Sequence, residues 1–312
     1  MSRPPLLGAH GTLVLDGGLS NQLAAQGCDL SDELWSARLL ADAPEQIEAA
    51  HTAYLRAGAQ VLITASYQAT FEGFARRGIG RTEASALLRR SVELARRAAA
   101  GAGAGEPPAE AAGEPAAGSP VRVAASVGPY GAMLADGSEY RGRYGRSVRE
   151  LERFHRPRME ALAEAGPDVF ALETVPDADE AEAMVRAAEG TGVPVWLSYT
   201  VAGERTRAGQ SLAEAFAVAA GRDQVVAVGV NCCAPPDADR AVEIAAATTG
   251  KPVVVYPNSG ERWDADGRRW AGGPVFEPGR AVRWEAAGAR LIGGCCRVGP
   301  AGIAGIAAAL RR

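Results

Sequence analysis

Eight short apolar runs alternate with helix-like stretches along this 312-residue chain, and that alternation leaves few folds open. The runs are Thr12–Asp16, Gln60–Thr64, Val121–Ser126, Asp168–Glu173, Val195–Tyr199, Val225–Val230, Val253–Tyr256 and Arg290–Ile292. Most are continuous, as expected for parallel strands covered on both faces. Helical spacing of apolar residues marks Ala43–Ala57, Thr82–Ala100, Arg149–Ala165, Asp179–Glu189, Ser211–Ala220 and Asp237–Thr248. Asp42 and Pro44 supply cap and first-turn signals for the first of these, Gly58 stops it, and Pro235-Pro236 reads as a loop leading into the last. Eight strands alternating with helices predict an α/β fold, a single (β/α)8 TIM barrel spanning residues 1–312. An open doubly wound sheet is the rival, but it usually has fewer strands and a glycine-rich phosphate turn after the first.

Composition narrows the function classes. A formal net charge of −4 favours neither nucleic acid nor an anionic membrane surface. No apolar run approaches the roughly 18–20 residues needed to span a bilayer, and the first residues lack a secretory pattern. Five cysteines in a chain of this size do not make a disulfide framework, so a cytoplasmic location is expected. Ala98–Ser119 is nearly all Ala, Gly, Pro and Glu and is expected to be a flexible surface insertion. Gly128–Tyr144 follows the third strand and is long enough to form a binding loop over the barrel mouth. The sequence does not set an oligomeric state.

Four of the five cysteines lie at the ends of two strand-like runs: Cys232-Cys233, and Cys295-Cys296 after Gly293-Gly294. The vicinal pair is a poor disulfide candidate, because consecutive Cα atoms lie about 3.8 Å apart, below the usual disulfide span. Consecutive side chains on a strand also point to opposite faces, so two neighbours reach one metal only where the chain bends. Gly293-Gly294 are expected to supply that bend. Buried, inert cysteines are the alternative.

In a barrel, every strand's C-terminal end faces one mouth, where such folds place their chemistry. The first strand would deliver Asp16 with Gly17 and Gly18, and the second Thr64. The third would deliver Ser126 and the fourth Glu173, with Asn231 and a cysteine from the sixth. The eighth, carrying Cys295 and Cys296, would lie two strands from the sixth. Three thiolates leave tetrahedral zinc with one open position, the mark of a catalytic site, and a thiol substrate is the natural fourth ligand. Zinc would hold it as thiolate near neutral pH, against an unperturbed pKa of about 8.5.

The chain resembles the homocysteine S-methyltransferase family. The resemblance runs through Leu13–Gly18, Ala57–Gln60, Ile63–Gln68, Ser126–Gly131, Leu172–Thr174, Gly229–Cys232, Tyr256–Glu261 and Gly293–Arg297, essentially the whole chain apart from Ala98–Ser119. Its ITASYQ and YPNSGE runs are similar to the branch that uses S-methylmethionine. The resemblance implies an enzyme of methionine biosynthesis that binds Zn2+ through Cys232, Cys295 and Cys296; the residues alone leave Cys232 and Cys233 undistinguished. It also implies that Glu173 receives the homocysteine amino group, and that Asp16 with Gly17 and Gly18 lines the amino-acid pocket. Thr64 and Ser126 are further pocket contacts. Gln22 stands where this branch often has Glu.

The expected reaction moves a methyl group from S-methyl-L-methionine to homocysteine, with S-adenosylmethionine as a second sulfonium donor. Its partners are small molecules, with no nucleic acid and no membrane. Alternatives are betaine or methylfolate as donor, another thiol or selenol as acceptor, or a non-catalytic, zinc- or redox-responsive binding protein.

Overall fold

The computed structural model describes Leu6 and residues 11–32, 34–102, 120–264 and 269–311. Eight parallel strands form the predicted barrel: β1 (Leu13–Val14), β2 (Val61–Ile63), β3 (Arg122–Val127), β4 (Val169–Val175), β5 (Val195–Tyr199), β6 (Val225–Asn231), β7 (Val253–Tyr256) and β8 (Ala289–Ile292). β1 pairs with β8, and the ladder continues through β7, β6, β5, β4 and β3 to β2. A parallel bridge from Leu15 to Val61 brings β1 back to β2. Two backbone bonds support this closure, Gln60 N–H to Val14 O at 2.7 Å and Asp16 N–H to Val61 O at 3.1 Å.

The period-two alternation of strand side chains divides the apolar residues between two layers. Leu15, Val61, Ala124, Ala171, Trp196, Ala227, Val254, Tyr256 and Leu291 form one cluster inside the barrel. Their strand neighbours, such as Val14, Leu62, Ala125, Phe170, Leu172 and Val228, join the cluster under the helices. Both faces are dry, which is why the strands read as unbroken apolar runs. The interior mixes two large side chains with alanines, and Trp196 donates its Nε1–H to the Tyr256 hydroxyl at 3.2 Å.

The outer helices are α1 (Pro44–Arg56), α2 (Arg81–Ala102), α3 (Val148–Glu164), α4 (Ala178–Ala188), α5 (Leu212–Ala217), α6 (Pro235–Thr249), α7 (Arg280–Ala286) and α8 (Pro300–Leu310). Pro44 opens α1 as expected, but Asp42 does not cap it. Asp42 ends a short preceding helix, Leu39–Asp42, and Ala43 is the cap residue, with no side-chain bond. Pro235-Pro236 belong to the first turn of α6, where a missing N–H costs nothing. Ser147 with Glu150 and Ser211 with Glu214 form capping boxes on α3 and α5.

The expected insertion at 98–119 is helical through Ala102, and residues 103–119 lie outside the described residues. Gly128–Tyr144 carries a short helix, Tyr130–Leu134, and a 3-10 turn, Ser138–Tyr140. Among the described residues no helix is long and apolar enough to cross a membrane.

Candidate active site

At the C-terminal rim, Cys232 after β6 and Cys295-Cys296 after β8 bring their Sγ atoms within 4.8 Å of one another. Cys232 and Cys296 are 3.9 Å apart. Zinc–sulfur bonds of about 2.3 Å at the tetrahedral angle would set sulfurs roughly 3.8 Å apart, so the donor set and spacing fit such an ion. Cys233 is also buried but packs in the layer beneath the helices. Tertiary structure therefore makes the choice between the two that the residues alone left open. Hydrogen bonds from Cys232 and Cys295 hold the Cys296 thiol well below the usual range, and the same network holds Cys295 above it.

The bend arises elsewhere than expected. Gly293 and Gly294 have no positive φ; left-handed residues at the cluster are Cys232 itself (φ 48°) and Arg297 (φ 63°), next to Cys296. The two glycines are needed for close approach. A Cβ on Gly293 would meet the Asp16 carbonyl at 2.7 Å, and one on Gly294 would meet Val298 Cγ1 at 2.2 Å. Backbone bonds then fix the loop: Cys295 N–H to Pro257 O at 2.8 Å, Ser259 N–H to Cys296 O at 2.9 Å, and Cys296 N–H to the Asn258 side-chain oxygen at 3.1 Å. Thr174 is a third left-handed residue (φ 57°), unusual for a β-branched side chain. Asn231 holds it from both sides, accepting its N–H at 2.7 Å and donating to its Oγ1 at 2.8 Å. Strain of this kind, about 1–3 kcal/mol per residue, persists where the surroundings over-determine it and clusters at functional sites.

Two carboxyl groups are buried beside the cysteines. Asp16 Oδ2 accepts the Ile63 N–H at 2.8 Å, while its Oδ1 is buried without a partner. Burial holds the Asp16 carboxyl well above its usual range, and the nearby Glu173 charge adds to this. Glu173 accepts a short hydrogen bond from the Ser126 hydroxyl. Burial pushes Glu173 up to about 7 against that bond, and the charge of Cys232 adds to the rise. Two acids are thus buried near one another, one of them with an acceptor oxygen that has no partner.

The other predicted site residues surround this pair. Thr64 is buried, its hydroxyl bonded to Ser66 Oγ at 2.7 Å and accepting the Ser126 N–H at 3.0 Å. Its bonding is thus directed at Ser126. Gly17 and Gly18 lie where chains cross: a Cβ on Gly17 would sit 2.1 Å from the Val298 carbonyl, and the Gly18 N–H donates to that carbonyl at 3.0 Å. Gln22 lies on a short helix, Leu19–Ala25, and its amide bonds Gln26 along the helix at 3.2 Å. The sequence places Asn231 at the mouth but does not show that it is the post that holds Thr174. The signal was an amide at a strand end directly before a cysteine. Tyr256 is buried inside the barrel, its hydroxyl accepting the Trp196 Nε1–H.

The chain is similar over nearly its whole length to known proteins. A family model described as Homocysteine S-methyltransferase matches residues 13–310. Homocysteine S-methyltransferase 4 of Zea mays is 46% identical, over 97% of this chain and 90% of its own length. Homocysteine S-methyltransferase of Escherichia coli strain K12 is also 46% identical, over 97% of this chain and 96% of its own. The crystal structure of the homocysteine methyltransferase MmuM from Escherichia coli, in a metallated form, superposes with a TM-score of 0.82 at 45% identity, covering 96% of each chain. Barrel, cysteine cluster and near-complete matches agree, and the chain belongs to the homocysteine S-methyltransferase family, a family of methyltransferases.

Proposed function

We propose that this chain transfers a methyl group from S-methyl-L-methionine to the thiol of L-homocysteine, giving two molecules of methionine. The observation that carries the reading is the three-sulfur cluster beside two buried carboxyl groups, one with an unpartnered oxygen. That layout suits one small molecule bearing both a thiol and an ammonium group. S-adenosylmethionine, also a sulfonium, is the second donor of this chemistry.

Cys232, Cys295 and Cys296 would hold zinc. Bound there, the ion supplies Lewis-acid charge that keeps a substrate thiol in its nucleophilic form near neutral pH. Glu173 takes the homocysteine ammonium, and Asp16 Oδ1 is the second acceptor for it. Ser126 orients Glu173 through its hydroxyl, and Thr64 orients Ser126 through its N–H. Gly17 and Gly18 let the first loop close against Val298 and Cys295.

The thiol proton leaves to solvent as the acceptor binds. A sulfur lone pair then forms the new S–CH3 bond while the donor's CH3–S bond breaks, its electron pair returning to the sulfonium sulfur. Thiolate and sulfonium become two neutral thioethers, so the leaving group needs no general acid. The protein's part is positioning and water exclusion, worth at most ~7–11 kcal/mol. Free thiols at such a centre suit a reducing compartment, hence the cytoplasm. The reading treats residues 1–312 as one catalytic domain.

The test is methionine formation from homocysteine with each donor in turn, alongside metal content. Turnover with a sulfonium and about one zinc per chain is expected. Turnover only with betaine or methylfolate, or zinc binding that homocysteine never perturbs, rejects the reading.

A further inference from the structure

The mouth loop carries two groups that the acceptor chemistry leaves unused, and a third, Tyr67 after β2, packs against its first residue. Tyr140, in the turn Ser138–Tyr140, is one of two large hydrophobic side chains that are strongly exposed among the described residues, at 40%. Glu139, beside it, has a buried Oε2 with no partner. Tyr67 packs its ring against Gly128, where an added Cβ would meet ring carbons at 2.7 and 2.8 Å.

The turn lies beside the strand that carries the acceptor's carboxyl group. The turn packs against β4, the strand that ends in Glu173 and Thr174. Its backbone sits on Gly131, whose Cβ would meet the Glu139 nitrogen at 2.4 Å. Burial raises the Glu139 carboxyl, with a smaller contribution from Cys232.

The loop is also fixed. At its start, Arg158 donates to the Gly128 carbonyl, and Glu180 Oε1 accepts the Tyr130 N–H at 2.5 Å. Both are fully buried and joined through His155, whose Nδ1 lies 2.6 Å from Arg158 and whose Nε2 lies 2.9 Å from Glu180. At its end, the Arg143 N–H donates to Asp177 at 3.1 Å. The turn is therefore held in place rather than left to find its position on binding.

We infer that Tyr140 and Tyr67 form the aromatic wall, and Glu139 the carboxylate, of a subsite for the cationic methyl donor. The inference rests on the proposed sulfonium transfer. Glu173 and Asp16 already serve the acceptor's ammonium in the buried part of the site. A donor must approach the acceptor sulfur from the open side, and there it meets Tyr140 first. A sulfonium favours an aromatic face, and a carboxylate with an idle oxygen complements the donor's net positive charge. The product thioether carries no such charge, so the same wall releases it.

The test uses the zinc-loaded enzyme with homocysteine and S-methyl-L-methionine. Tyr140→Leu and Glu139→Gln are each expected to raise the donor KM by about 3- to 30-fold. Tyr140→Phe, which keeps the ring, should raise the donor KM less than Tyr140→Leu does. Homocysteine KM and the Ki of methionine as product inhibitor change by less than about twofold, since neither depends on the donor's charge. A wild type active with S-methyl-L-methionine whose Tyr140→Leu variant keeps the donor KM overturns this subsite alone. So does a homocysteine KM that rises in parallel. A wild type that transfers from no sulfonium overturns the proposed reaction and this subsite with it.

Discussion

Replacing Gly294 by Ala should disrupt the three-cysteine cluster, and with it the proposed metal binding, without touching a cysteine. The new Cβ would sit 2.2 Å from Val298 Cγ1 and 2.4 Å from Val298 Cβ. It falls about 1.2 Å short of the 3.4 Å at which ordinary contact begins. Val298 cannot swing away by rotating its side chain, because its Cβ is part of the clash. Its backbone is fixed as well: the N–H donates to the Cys295 carbonyl and the carbonyl accepts from Gly18, both at 3.0 Å. The displacement must therefore pass into Cys295–Val298, the segment that places two of the three sulfurs. Metal–ligand distances tolerate only about 0.2 Å, so a shift near 1 Å should lower metal affinity by at least about a hundredfold. The overpacking itself should cost about 1–3 kcal/mol of stability. Gly299→Ala is the control, since an added Cβ there meets nothing within 4 Å. The assay is metal per chain after dialysis against a weak chelator, with methyl transfer and thermal unfolding measured on the same samples. A folded Gly294→Ala variant that keeps its metal and wild-type kcat/KM refutes the reasoning.

Cys232→Ala should lose metal and activity, whereas Cys233→Ala, one residue on, should keep both and lose only packing, about 1–2 kcal/mol read from urea midpoints; equal metal loss in the two would contradict the geometry. Ser126→Ala removes a hydrogen bond that lowers the Glu173 carboxyl, so Glu173 should ionise at higher pH than its present value of about 7. Homocysteine KM at pH 7 should rise about tenfold, from a lost bond to a charged group worth ~1.5 kcal/mol, and the acid limb of kcat/KM should move to higher pH; an unchanged limb would count against the role of Glu173. His51 is fully buried, neither ring nitrogen has a partner, and burial lowers it from 6.5 to about 4. The unfolded chain then binds the extra proton first, so stability holds above about pH 6.5, falls between about 6.5 and 4, and levels off below, a loss of at most ~3 kcal/mol. His51→Phe should flatten that slope in urea midpoints measured across the window, and an unaltered slope would exclude His51 as its source.

The architecture was legible because the physics behind it is local and repeated. Covered parallel strands need unbroken apolar runs, and the eight runs became the eight strands with edges shifted by a residue or two. The site was legible in part. Asp16, Ser126, Glu173 and the cysteines all stand at strand ends, and parallel connectivity sends every such end to one rim. Errors came where several long-range contacts meet. Gly293-Gly294 were read as a hinge, because a pair of glycines suggests backbone freedom. They are there because Asp16 and Val298 come too close for a side chain. Asp42 looked like a cap, but Ala43 turns the chain before α1 begins.

The sequence by itself determined the repeat, the barrel and the set of residues at its mouth, since each follows from periodicity and chain direction. Tertiary structure alone decided that Cys232 joins the cluster while Cys233 packs under the helices. It also decided that Asn231 holds Thr174 in its left-handed turn and that the Asp16 Oδ1 is buried without a partner. Neighbouring residues on a strand carry equivalent chemistry in opposite directions. Which one reaches the site depends on a backbone angle at the strand's end, and distant contacts set that angle.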